Sequence, residues 1–118
     1  MKIALALAAA ASAALFALPA DAEAKPRRAR CVVTSEGATY NGACTFTPEA
    51  GGSFSVEPIG RRFLVGQVSS VSVSIYRPGA AEVRGLTADG INSRWGEARR
   101  SPRDRSCWVG AGFSVCAY

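Results

Sequence analysis

Four cysteines in a short chain that contains no histidine are the strongest constraint on what this sequence can become. They are Cys31, Cys44, Cys107 and Cys116, in 118 residues. An even number of cysteines in a small exported domain reads as two disulfides, and four cysteines allow three pairings. The pairing that fits the flanking residues is Cys31–Cys44 with Cys107–Cys116. Val32-Val33-Thr34-Ser35, Glu36-Gly37 and Ala38-Thr39-Tyr40 lie between the first two cysteines, and Trp108-Val109, Gly110-Ala111-Gly112 and Phe113-Ser114-Val115 between the second two. Both stretches have the character of a hairpin, whose two legs bring their ends within disulfide reach. Mixed pairings such as Cys31–Cys116, which would tie the two ends of the domain together, also satisfy the count. A site in which all four thiolates hold a metal is disfavoured, because no CxxC pair is present.

The premise of export rests on the first segment. Met1–Ala24 reads MKIALALAAAASAALFALPADAEA. Lys2 is followed by an uncharged apolar run from Ile3 to Leu18, then Pro19 and small residues, which is the layout of a secretory signal peptide. The run is shorter than the roughly 20 residues that span a bilayer. Cleavage is expected after Ala22, with Ala24 the second candidate. The expected organisation is a signal peptide over 1–22, a basic flexible lead-in over 23–30 and one domain over 31–118. Cys31 does not follow either cleavage position, which argues against lipidation, and no later segment is apolar enough to span a membrane. The mature protein is therefore expected in the periplasm or outside the cell.

The mature chain carries strand patterns and no sustained helical period. The clearest is Val68-Ser69-Ser70-Val71-Ser72-Val73-Ser74-Ile75-Tyr76, where Val71, Val73 and Ile75 would face a core and Ser70, Ser72 and Ser74 would not. Cys31–Thr34, Cys44–Thr47, Ser53–Val56, Phe63–Val65 and Ala81–Thr87 read as further short strands. Asn41-Gly42, Ala50-Gly51-Gly52, Arg77-Pro78-Gly79 and Ala88-Asp89-Gly90 read as turns. Ile91–Arg100 fits no single pattern. Seven or eight short strands with frequent turns predict an all-β fold, a small antiparallel β-sandwich or barrel with two disulfides.

Without histidine, and with Lys25 the one lysine of the mature chain, a nucleophile lacks its usual base. The acids are dispersed through predicted turns, and no phosphate-binding, dinucleotide or calcium loop is present. No enzyme, metal or cofactor is expected. Arginine is the most visible polar feature. Loss of Lys2 and Asp21 with the leader leaves the net charge at +5. Arg94, Arg99, Arg100, Arg103 and Arg105 are the candidate anion-binding residues, because guanidinium groups grip phosphates and carboxylates with paired hydrogen bonds. Trp95 is a candidate aromatic contact, whereas Trp108, beside Cys107, reads as core. The partners expected are anionic envelope components or another periplasmic protein, and not nucleic acid.

Cys31-Val32-Val33, Tyr40-Asn41-Gly42-Ala43-Cys44-Thr45-Phe46 and Gly52-Ser53-Phe54-Ser55-Val56, with Trp95-Gly96-Glu97-Ala98, Arg99-Arg100-Ser101, Cys107-Trp108-Val109-Gly110 and Val115-Cys116-Ala117, carry a resemblance. They resemble a set of small, exported, uncharacterised proteins of Gram-negative bacteria that begin C…YxGxC…GSF and end CW…CA. The resemblance implies export and the two local disulfides and brings no activity or ligand. Gly90–Ala98 is more distantly similar to the inhibitory stretch of periplasmic inhibitors of c-type lysozyme. It lacks their Tyr and Lys-Gly, so no functional residue carries over. The function expected is that of a binding or structural envelope protein, with inhibition of a hydrolase such as lysozyme or a protease as the alternative.

Overall fold

The structure, a computed structural model, describes residues 25–118; the signal-peptide reading falls outside them. Eight antiparallel strands follow one another around a closed barrel: β1 (Arg27–Ser35), β2 (Ala38–Pro48), β3 (Phe54–Pro58), β4 (Val68–Arg77), β5 (Ala80–Thr87), β6 (Asn92–Arg100), β7 (Cys107–Gly110) and β8 (Phe113–Ala117). β8 closes on β1, with Val33 opposite Val115. Of the sandwich and the barrel, the molecule is the barrel. Closure leaves no sheet edge with unpaired backbone groups.

Both local disulfides are present, Cys31–Cys44 and Cys107–Cys116. They differ in placement. Cys31 and Cys44 lie on diagonal positions of the β1–β2 pair, since Cys31 faces Gly42 and Cys44 faces Ala29, and both are fully buried inside the barrel. Cys107 and Cys116 are directly opposite each other, with Cα atoms 4.0 Å apart. Their neighbours Trp108 and Val115 point inward, so this second bridge sits on the outer wall. Two such bridges belong to a chain that matures in an oxidising compartment outside the cytoplasm.

Eight strands enclose a space that side chains can fill. Val33, Val56, Val71, Val73, Val83 and Val115 form the fully buried belt. On β4 the valines alternate with Ser70, Ser72 and Ser74, which face out. Apolar-in and polar-out is the reverse of a membrane-spanning barrel. Among the described residues no helix is long and apolar enough to cross a membrane.

One end of the barrel is plugged. The β1–β2 turn, the 59–67 loop, the β5–β6 turn and the β7–β8 turn all lie there. Phe63-Leu64-Val65 is not a strand: it crosses this end in the loop and buries Leu64 and Val65 against the core. Trp95 joins the plug. It is the extra residue of a bulge where Val83 pairs with Gly96 and Arg84 with Arg94. Gly96 supplies the positive φ of 130° there, and a bulge re-aims the side chain beside it. The indole lies over Gly85 and meets the Phe113 ring edge-on at 5.6 Å.

Two further local expectations are corrected. Asn41-Gly42 is not a turn; β2 runs through it, and the turn is Glu36-Gly37, with both residues at positive φ as a two-residue type I′ hairpin requires. Gly42 answers a packing need instead: a Cβ there would lie 2.9 Å from the Tyr40 hydroxyl, which donates to the Ala43 carbonyl. The expected flexible lead-in is strand from Arg27 onward, paired with β2 from Arg27↔Phe46 to Arg30↔Ala43. Its alternation explains this, since Ala29 packs on the core in register with Cys31 and Val33.

Candidate functional site

The other end of the barrel is open. Strand alternation determines what lines it. Arg27, Phe46, Phe54, Ile75, Arg100, Trp108 and Ala117 occupy inward-facing positions near this end of β1, β2, β3, β4, β6, β7 and β8. The register makes the direction explicit: Arg27 pairs with Phe46 and Phe46 with buried Val56, while Arg100 pairs with buried Trp108 and Trp108 with buried Val115. With the glycine-rich β2–β3 turn, the β4–β5 turn and Arg105 and Ser106 from the β6–β7 loop, they surround a cavity of about 500 Å³. That is within the range of small-ligand sites, about 300–1,000 Å³.

Aromatic rings form the floor and walls of this mouth. Phe46 and Phe54 stack with centroids 4.9 Å apart. Trp108 is almost completely buried. The two inward arginines lie against these rings, Arg27 at 4.5 Å from the Phe46 centroid and Arg100 at 5.5 Å from that of Trp108. Stacking on an aromatic face holds a guanidinium in place while leaving its in-plane donors free. Arg100 uses Nε to donate to the Arg105 carbonyl at 2.8 Å, which ties the β6–β7 loop to the mouth. No carboxylate lines the cavity. Among the described residues the ion pairs all involve Glu82, so none neutralises Arg27, Arg100 or Arg105.

The structure divides the five arginines read from the sequence. Arg100 and Arg105 are at the mouth. Arg99 and Arg103 lie at the same corner on the outside, around a depression that Arg100 also lines, with Pro102 and Val109. Arg94 is on the outer wall, bonded through Nε to Glu82, whose other oxygen is 3.6 Å from Arg84. The Arg94 hydrogen bond is the main cause that holds the Glu82 carboxyl below the usual carboxylate range, and the same bond raises Arg94. This arginine is already matched by an acid of its own chain. Trp95 is half-buried in the plug at the far end, away from the arginines of the mouth.

Arg27, Phe46, Phe54 and Trp108 were not legible as site residues. Arg27 reads as part of the flexible basic lead-in, Phe46 and Phe54 as positions in short strands, and Trp108 as core. The usable signal was parity: Arg27 is two residues before Ala29 and Arg100 two after Ala98, so each is a charge at a core-facing position. Among the described residues no three His, Cys, Asp or Glu side chains converge as metal ligands. Compared with protein-family models, curated proteins and solved structures, the chain matches none.

Proposed function

We propose that this protein is an exported binding module of the bacterial envelope whose working surface is the basic mouth of the barrel, and that it binds an anionic envelope component. The observation that carries this reading is the pair of arginines at inward-facing positions, beside a third from the loop, around a cavity with no acid in its lining. Arg27, Arg100 and Arg105 are solvent-exposed and no acid of the described residues is their partner, so their charges stay available to an incoming anion. An oxyanion would provide that partner. The signal-peptide layout of the first 22 residues and the two disulfides support a periplasmic or secreted setting, where lipopolysaccharide phosphates, anionic lipid and peptidoglycan carboxylates are the abundant anions.

Cosedimentation of the oxidised protein with phosphatidylglycerol vesicles and with lipopolysaccharide tests the reading. Binding is expected at low salt, with a steep fall as ionic strength shortens the screening length to about 8 Å near 0.15 M. No binding to either at low salt, or binding to neutral phosphatidylcholine vesicles of equal strength, would overturn it.

A further inference from the structure

We infer that the mouth is a pocket for one small amphiphilic oxyanion, whose head is held by Arg27, Arg100 and Arg105 and whose flat apolar body lies against Phe46, Phe54 and Trp108. This rests on the anion-binding reading of the same mouth and adds to it a ligand class. A rim that only attracted a charged polymer would need exposed arginines and nothing beneath them. Here the exposed guanidiniums of Arg27 and Arg100 sit over Phe46 and Trp108, rings that line a cavity of about 500 Å³. A cavity of that size suits a ring system or a short acyl segment.

The arrangement separates the two halves of the ligand. The guanidiniums of Arg27 and Arg100 lie over the Phe46 and Trp108 rings, and the bond from Arg100 Nε to the Arg105 carbonyl holds the loop backbone that carries Arg105 at the mouth. Their terminal amino groups make no hydrogen bond to another described residue, so they can grip a carboxylate or phosphate by paired donors. Below them, the Phe46–Phe54 stack, Ile75 and Trp108 offer an apolar surface, and Gly51, Gly52 and Gly79 leave the wall without bulk. Neither half alone explains the other: a core layer would not carry two arginines, and a solvated basic patch would not carry a buried tryptophan. The shared chemistry, an oxyanion joined to an apolar body, could come from a free small acid or from a lipid headgroup with its chain.

The test uses the full chain, expressed with its leader so that the disulfides form, and follows the indole N–H signals of both tryptophans by NMR. The probe is 2-naphthoate, compared with neutral 2-naphthamide, inorganic phosphate and phosphatidylglycerol vesicles. Naphthoate is expected to move Trp108 saturably at one site and leave Trp95 in place. The amide and phosphate, each lacking one half, are expected to bind about tenfold or more weakly. Arg100→Gln and Arg105→Gln should each weaken naphthoate by about tenfold while Arg94→Gln leaves it unchanged. If the vesicles and not naphthoate move Trp108, the amphiphile is a lipid and the inference stands with that source. Equal binding of the amide, or a shift of Trp95 in place of Trp108, would overturn it. Vesicle binding with Trp108 unmoved would also overturn it, while sparing the broader anion-binding reading. Failure of vesicles, naphthoate and lipopolysaccharide alike would remove both.

Discussion

Single residues set how closely the strands of this barrel can pack. At Gly110, on the inward face of β7, a Cβ would lie 2.6 Å from the Glu97 carbonyl oxygen and collide with the Phe113 ring. The ring could turn, but the Glu97 carbonyl belongs to the neighbouring strand. Gly110→Ala should therefore cost about 1–3 kcal/mol, read as a lower denaturant midpoint with an unchanged slope. A neutral result would mean β6 and β7 are less closely apposed. A second residue-scale feature fastens β8 to β1. Tyr118 N–H donates to the Arg30 carbonyl at 2.9 Å, its ring lies 4.6 Å from the Arg30 guanidinium, and its hydroxyl donates to Asp104 at 2.6 Å. That hydroxyl bond, with the Ser106 N–H, lowers the Asp104 pKa, and the same bond raises that of Tyr118. The lowered carboxyl contributes above its ordinary value of about 3.9 and loses that contribution as pH falls through the lowered one. The raised phenol contributes below its ordinary value of about 10 and loses that contribution as pH rises through the raised one. In Asp104→Asn the Tyr118 phenolate, followed by absorbance at high pH, should titrate lower than in the parent. An unmoved titration would contradict the bond.

At the scale of elements, the parts that alternate cleanly were legible in the sequence. β4 announces itself by valine and serine in turn, and the two disulfide-flanked stretches form the β1–β2 and β7–β8 hairpins. What was not legible depended on contacts made across strands. Asn41-Gly42 has the composition of a turn, but Arg30 reaches Asn41 Oδ1 at 3.0 Å from the neighbouring strand and Tyr40 needs the space at Gly42. Arg27–Arg30 looks like a flexible lead-in until its pairing with Ala43–Phe46 is seen. β6 fits no simple period because its bulge at Trp95-Gly96 resets the alternation. The candidate site was legible only in part, since residues as distant in sequence as Arg27 and Arg105 meet only once the barrel closes. The two bridges should also differ in weight. Each closes a short loop, with sequence separations of 13 and 9, for about 3 kcal/mol in the chain-entropy picture. Cys31 and Cys44 are both wholly buried, so Cys31→Ala/Cys44→Ala also leaves a void in the core. It should lose more stability than Cys107→Ala/Cys116→Ala on the outer wall, and equal losses in thermal unfolding would contradict their placement.

As a whole molecule, the barrel has two unlike ends. One is filled by Leu64, Val65, Trp95 and Phe113, and the other stops short, leaving a cavity ringed by Arg27, Arg100 and Arg105 over Phe46, Phe54 and Trp108. A net charge of +5 alone would attract anions to any part of the surface, whereas a working mouth concentrates the attraction at one end. The decisive measurement compares two triple variants that change net charge equally. One is Arg27→Gln/Arg100→Gln/Arg105→Gln at the mouth; the other is Arg61→Gln/Arg62→Gln/Arg94→Gln, on the plugging loop and the outer wall. Both are titrated at low salt against phosphatidylglycerol vesicles. The mouth variant should lose about tenfold or more in affinity and the other should stay close to the parent. Equal losses in the two variants would mean that overall charge, and not the mouth, carries the binding.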